Sequence, residues 1–88
     1  MYNYEISDRL KKILNKLLKK DEIKYEAILK KIEEIINSKD VNHYKNLTGK
    51  MKFYKRVHID SHFVLTFKVK DNTIHFEDFD HHDNIYKN

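Results

Sequence analysis

The hydrophobic period of this chain changes near residue 50, from the 3.6 of a helix to the 2 of a strand, so one small core must serve both kinds of element. Leu10, Ile13, Leu14, Leu17 and Leu18 recur at i, i+3, i+4, i+7 and i+8. This predicts a helix that buries the stripe and leaves Lys11, Lys12, Lys16, Lys19 and Lys20 largely outside it. Ser7 or Asp8 can cap its start. Asp21 restarts the pattern, and Ala27, Ile28, Ile32, Ile35 and Ile36 form a second stripe that runs to Asn37-Ser38. The pair predicts an antiparallel helical hairpin around Lys20-Asp21, or one bent helix. Ahead of both, Tyr2-Asn3-Tyr4-Glu5-Ile6 alternates and predicts a short first strand.

From Met51 the alternation takes over. Met51, Phe53, Val57 and Ile59 fall on one side and Lys52, Tyr54, Arg56 and His58 on the other, with Lys55 breaking the apolar row. After a turn at Asp60-Ser61, Phe63, Leu65, Phe67 and Val69 face inward and His62, Val64, Thr66 and Lys68 outward. Val64 on the outer side predicts a central strand covered on both faces. Lys70-Asp71-Asn72 reads as a hairpin turn, and Ile74 and Phe76 continue the inner row. Phe79 is out of phase by one, which predicts a bulge near Glu77-Asp78. Beyond it Phe79 and His81 should point one way, Asp80 and His82 the other.

The expected fold is α+β, a single domain over residues 1–88: an N-terminal strand, a two-helix antiparallel hairpin, then a three-stranded antiparallel meander, with the helices on one face of the sheet. A chain this short buries only about 60–65% of its unfolded surface, so one thin core is all it can build. A single glycine and no proline leave short connections, and the lack of cysteine excludes disulfides and thiolate metal sites. No segment approaches the roughly 18 consecutive apolar residues of a membrane span, and Met1-Tyr2-Asn3-Tyr4 lacks a signal peptide's apolar core, so a cytoplasmic protein without membrane contact is expected.

Charge is placed unevenly. Residues 41–70 carry seven Lys or Arg against Asp60 alone, whereas residues 71–88 carry five acids against Lys87. A local basic excess of this kind suits a polyanion partner, or else a solvated face. Lys52, Tyr54, Arg56, His58, His62, Thr66, Lys68, Asp80 and His82 should converge on the face away from the helices, giving it a polar and basic character.

Next to it, Asp78-Phe79-Asp80-His81-His82-Asp83-Asn84-Ile85-Tyr86 gathers groups that accept and donate protons near neutrality. A site that handles a phosphodiester needs groups that take and give a proton and a cation that holds the phosphate. His82 is the first candidate for acid or base, oriented by Asp80, with His58 and His62 in reserve. Lys52, Lys55 and Arg56 would hold the phosphate, with Lys68, His62 and His81 as further phosphate contacts. Tyr86 follows His82 by four residues and adds a further proton-bearing group to this stretch. The plainer alternative is a surface histidine pair in a polar tail. No metal or other cofactor is expected, because adjacent ligands such as His81 and His82 would lie on opposite strand faces even with His75, Asp80 or Asp83 nearby.

Leu47-Thr48-Gly49, Tyr54-Lys55-Arg56-Val57-His58-Ile59, the strand Val64-Leu65-Thr66-Phe67-Lys68-Val69 and the ending His81-His82-Asp83-Asn84-Ile85-Tyr86 together resemble the RelE/ParE superfamily of toxins from toxin–antitoxin systems, over nearly the whole chain. The resemblance implies a small sheet with two helices on one face and an RNA-facing surface on the other. It implies ribosome-dependent cleavage of messenger RNA in the A site if the chain is RelE-like, or inhibition of DNA gyrase by protein contact if it is ParE-like. It also implies a cognate, RelB-like antitoxin and a toxin–antitoxin hetero-oligomer. Lys52, Lys55 and Arg56 fall on the strand that supplies phosphate-binding bases in RelE-type toxins, and Tyr86 matches their C-terminal tyrosine, which implies that it packs on a base at, or acts near, the cleaved nucleotide of an RNA cut without a metal. The chain departs from the family at two places. His82 stands where an arginine is common, and Phe63-Val64-Leu65 lacks the central-strand arginine, which implies either a histidine-based site in place of the arginine-based one or a weak activity.

Overall fold

In the computed structural model, which describes residues 1–86 with Tyr86 placed by its backbone alone, the order is β1 (Asn3–Ile6), α1 (Asp8–Lys20), α2 (Glu22–Ile36), two short 3-10 turns (Val41–His43 and Gly49–Met51), β2 (Lys55–His58), β3 (Phe63–Lys70), β4 (Thr73–His81) and α3 (His82–Tyr86). Ser7 ends β1 and caps α1, its Oγ accepting the Leu10 N–H at 3.0 Å while its own hydroxyl donates to the Glu77 carbonyl at 2.6 Å. Asp21 alone separates the helices. Its N–H donates to the Leu17 carbonyl and closes α1, and its carboxylate accepts the Lys24 N–H at 3.1 Å and opens α2. The pair is a hairpin rather than a bent helix, because the far end of α2 returns to the chain start, with Tyr2 N–H donating to the Ile36 carbonyl at 3.0 Å.

The sheet order is β1-β4-β3-β2, with β1 parallel to β4 and the other pairs antiparallel. Leu10 and Leu14 of α1 and Ile28, Ile32, Ile35 and Ile36 of α2 bury against Leu65, Phe67, Ile74, Phe76 and Phe79. Leu18 departs from the expected stripe. It lies 49% exposed, beyond the reach of the sheet at the last turn of α1.

In β3, Val64, Leu65, Thr66 and Phe67 are all buried, as expected of a strand covered twice. The second cover is a small cluster in which Leu47 and Ile85 sit on Val64, flanked by Met51 and Tyr54. The expected strand from Met51 is therefore shorter than the alternation suggested. Residues 49–51 coil into a 3-10 turn, pairing begins only at Lys55, Met51 joins the outer cluster and Phe53 is 74% exposed. Gly49 supplies the φ of +66° that starts this turn.

Two turns tie the late strands. Asp71 and Asn72 close the β3-β4 hairpin, both at positive φ, a conformation that Asp and Asn tolerate better than other side chains. Asp60 closes the other, its Oδ1 accepting the His62 and Phe63 amides at 2.8 and 2.9 Å, with Lys24 Nζ 3.9 Å from its other oxygen. The His62 amide bond holds the Asp60 carboxyl below its usual range; burial opposes it, and the Phe63 amide and the Lys24 charge add to the lowering.

A carboxyl whose folded pKa is depressed adds stability that is fully present above its unfolded value and is lost as pH falls through the lower folded one. Asp60→Ala should therefore destabilise the chain by about 0.5–1 kcal/mol at neutral pH, a modest figure because the turn is solvent-exposed. Urea unfolding at a series of pH values should show a gap to the wild type that is constant above about pH 4 and closes below it.

Candidate functional site

The outward face is laid down by register. Arg56 of β2 pairs with Thr66 of β3 and Thr66 with Asp78 of β4, so these three side chains form one cross-strand row. His58, Val64 and Asp80 form the next, and Lys68 and His75 pair at the opposite end. Between Thr66 and Phe67 the register slips, because Glu77 is an extra residue opposite them. The bulge returns Phe79 to the core and turns Asp78 and Asp80 outward, as the out-of-phase Phe79 predicted.

Acids and bases meet on this face, and it is not uniformly basic as expected. A groove of about 250 Å³ runs between Arg9, Tyr54, Thr66, Asp78, Asp80 and Asn84. Arg9 Nε donates to Asp78 Oδ1 at 2.9 Å across the uncovered edge of β4, and this bond and charge hold the guanidinium still more firmly protonated. Lys68 Nζ lies 3.7 Å from Glu77 and 5.5 Å from the Tyr54 ring centre. Asp80 Oδ1 accepts from the His81 amide at 2.7 Å and from Asn84 Nδ2 at 3.0 Å.

At the end of β4 the backbone changes hand. His81 is the last strand residue, paired with Phe63 on the helix side of the sheet, and His82 opens α3 with its N–H on the His62 carbonyl at 2.8 Å. The His81 and His82 rings stack at 4.7 Å between centres, and His62 stacks on His81 at 5.8 Å. Phe63 braces the group, edge-on to His81 at 5.6 Å.

Two expectations are corrected here. His82 does not continue the strand beside Asp80, because the helical turn carries it to the side of His81. Asp80 consequently does not orient it. The carboxylate beside His82 is that of Asp83, with Oδ1 3.1 Å from Nδ1.

The bases are divided too. Arg56 and Lys68 hold the outer face, and Lys52 stands exposed on the loop before β2 rather than in a strand. Lys55 pairs in register with the buried Phe67, and its ammonium donates to the Tyr44 carbonyl at 3.2 Å and to Asn46 Oδ1 at 2.8 Å, so it fastens a loop on the helix side. The expected role of Tyr86 falls on a side chain outside the described residues. Arg9 and Asn84 were not anticipated, and Asp83 was weighed only as a metal ligand, not as the carboxylate that holds His82. Arg9 meets Asp78 across 69 residues, a contact that no local pattern encodes, whereas Asp83 stood next to the histidines in the sequence.

No protein-family model matches the chain. It is 56% identical to a protein of Methanocaldococcus jannaschii described as "Putative toxin RelE4", with 99% of this chain and 93% of that protein aligned. Among solved structures, a chain of the YoeB-YefM complex of Staphylococcus aureus superposes with a TM-score of 0.76 at 15% identity, over 93% of this chain and 98% of that one. A chain of the Escherichia coli DinJ-YafQ toxin-antitoxin complex superposes at 0.66 and 22% identity, over 97% of each. These distant likenesses establish the fold, in agreement with the strand, hairpin and meander described above. The close relative, aligned almost end to end, establishes the lineage: the chain belongs to the RelE family of toxins.

Proposed function

We propose that this chain is a ribosome-dependent endoribonuclease that cuts messenger RNA in the A site and is held inactive by a RelB-like antitoxin. The observation that carries the proposal is the proton-transfer group of His62, His81 and His82 at the end of β4, built beside the basic segment of a RelE-family chain. Cleavage through the 2′-oxygen needs no metal. A base takes the 2′-hydroxyl proton, the freed oxygen bonds to phosphorus, and the 5′-oxygen leaves with a proton from an acid, giving a 2′,3′-cyclic phosphate.

In this reading His82 moves the proton, with Asp83 rather than Asp80 holding its ring. His62 and His58 lie at the same end of the sheet, and either can supply the second proton site. Arg56 holds the phosphate from the outer face, with Lys52 and Lys68 around it. Tyr86 follows His82 by four residues and would stack on a base. The two solved complexes that share the fold, one described as toxin-antitoxin, support a hetero-oligomer as the resting form.

Expression of this chain alone should stop growth by blocking translation, and primer extension should map cuts within codons only when ribosomes are present. Protein synthesis that continues while DNA replication stalls would instead assign the chain to the gyrase inhibitors of the ParE kind. His82→Ala should slow single-turnover cleavage by about 10²–10⁴-fold and leave ribosome binding nearly intact. Full cleavage by that variant, with loss in His58→Ala, would move the chemistry to β2.

Phosphate contact is tested separately. Replacing Lys52 and Arg56 together with alanine should weaken RNA association and flatten its salt dependence, the slope of log K against log salt falling by about 0.7–0.9 for each phosphate that is no longer neutralised. Lys55→Ala should leave that slope alone, since its ammonium is engaged with Tyr44 and Asn46.

A further inference from the structure

The histidine group at the end of β4 has the composition of a metal site as well as of a proton relay. His62, His81 and His82 each bring a ring nitrogen within 4.8 Å of the other two. Imidazole nitrogen suits zinc and the late first-row divalent ions, and three protein nitrogens with a water complete an open tetrahedral shell. The expectation that His81 and His82 cannot share an ion holds only while both are extended. Because α3 begins at His82, the two rings stack on one side of the chain instead.

Zinc bound at about 2.0–2.1 Å in a tetrahedron needs its nitrogens about 3.4 Å apart, so the rings must close by up to about 1.4 Å from their present separation. They lie nearly parallel, at 11° for His62 and His81 and 26° for His81 and His82, so side-chain rotation has to bring the lone pairs together. The backbone can stay still while they turn. His82 N–H is fixed to the His62 carbonyl at 2.8 Å and His62 N–H to Asp60 Oδ1 at 2.8 Å, while the His62 side chain stands on an exposed turn with room to swing.

We propose that His62, His81 and His82 bind a divalent transition-metal ion of the zinc class, with Asp83 as the carboxylate that orients the ligating rings. Asp83 Oδ1 is 3.1 Å from His82 Nδ1 and its Oδ2 is 3.6 Å from His81 Nδ1, the outer position a carboxylate takes behind metal-bound imidazoles. Both Nδ1 atoms thus face Asp83, so ligation in this arrangement would be through Nε2. His81 Nδ1 now accepts the Asp83 N–H at 3.1 Å. As a ligand through Nε2, His81 carries its proton on Nδ1 and gives the hydrogen bond to the Asp83 carboxylate. A neighbouring cation, Lys24, lies 3.6 Å over the Phe63 ring and 3.9 Å from Asp60, which shares its charge. An ion held here occupies the nitrogens assigned to proton transfer, so bound metal and RNA cleavage exclude one another. That consequence alone rests on the proposed function.

The test is titration of the intact chain with zinc chloride by calorimetry, and with cobalt chloride by visible absorption. One ion per chain and the strong bands of tetrahedral cobalt are expected. His62→Ala and His81→Ala, checked for folding by circular dichroism, should each weaken zinc binding by more than the 10–100-fold typical of an outer-shell change, and Asp83→Asn by about 10–100-fold. His43→Ala, outside the cluster, should bind as the wild type does. Undiminished zinc binding by His62→Ala, or several weak octahedral ions per chain, would overturn the site. Saturating zinc should stop cleavage and a chelator restore it; zinc bound at full cleavage would overturn the exclusion. Cleavage absent from metal-free protein would count against the proposed function and leave the titrations to judge the metal site.

Discussion

The extra residue at Glu77 governs this molecule more than any single apolar contact. In β4, Ile74 and Phe76 face the helices, and without an inserted residue strict alternation would send Phe79 to the outside and Asp78 and Asp80 into the core. A bare carboxylate in that core would cost several kcal/mol, and loss of the Phe79 burial about 3 kcal/mol more. The bulge removes both costs by leaving one residue unpaired. It is held from two sides: the Ser7 amide donates to the Phe76 carbonyl at 2.9 Å, and the Ser7 hydroxyl to the Glu77 carbonyl at 2.6 Å. The residue that starts α1 therefore also fixes where β4 changes phase, and the placing of Asp78, Asp80 and His81 follows from it.

The second dependence is the double cover of β3. Thr66 is buried with its hydroxyl donating to the Asp78 carbonyl at 3.4 Å, and Val64 lies under Leu47 and Ile85. The outer cover is small, and it comes from a loop and a five-residue helix. A helix of that length has no independent stability, so α3 is formed by Ile85 seated on Val64 and by the His82 amide bound to His62. Packing outside the sheet thus holds the histidines in place, which ties the site to the weakest layer of the fold.

This layering explains what could be read from the sequence. The helical stripes, the hairpin at Asp71-Asn72, the buried Val64 and the bulge all appear as local breaks or repeats of period, and apart from Leu18 each stands where the pattern placed it. Where β2 begins did not follow from its alternation, because Met51 and Phe53 kept the period of a strand while Gly49 turned the chain into a 3-10 coil. The end of β4 failed for a related reason. Asp80, His81 and His82 continue the alternation of a strand, but the turn into helix is imposed by Ile85 finding Val64 across the sheet. Residue types at the site were legible and their partners were not, since Arg9 with Asp78 and His62 with His82 are contacts made by topology.

The same topology bears on how a polyanion would meet a face that holds three acids. Glu77 is beside Lys68, Asp78 is bonded to Arg9, and Asp80 accepts two hydrogen bonds, so each carboxylate of the groove has a partner within the protein. Lys45, Lys50 and Lys52 stand exposed on the loop before β2, and among the described residues no carboxylate forms an ion pair with any of them. With a screening length of about 8 Å at physiological salt, a phosphate at that loop responds most strongly to the lysines beside it, and the pairing of Asp78 with Arg9 and of Glu77 with Lys68 weakens the opposing charge of the groove. An RNA chain would therefore be drawn in over the loop, and the paired acids would act on it only at contact. The histidines stand beyond them, at the end of the sheet where the strand alternation stops.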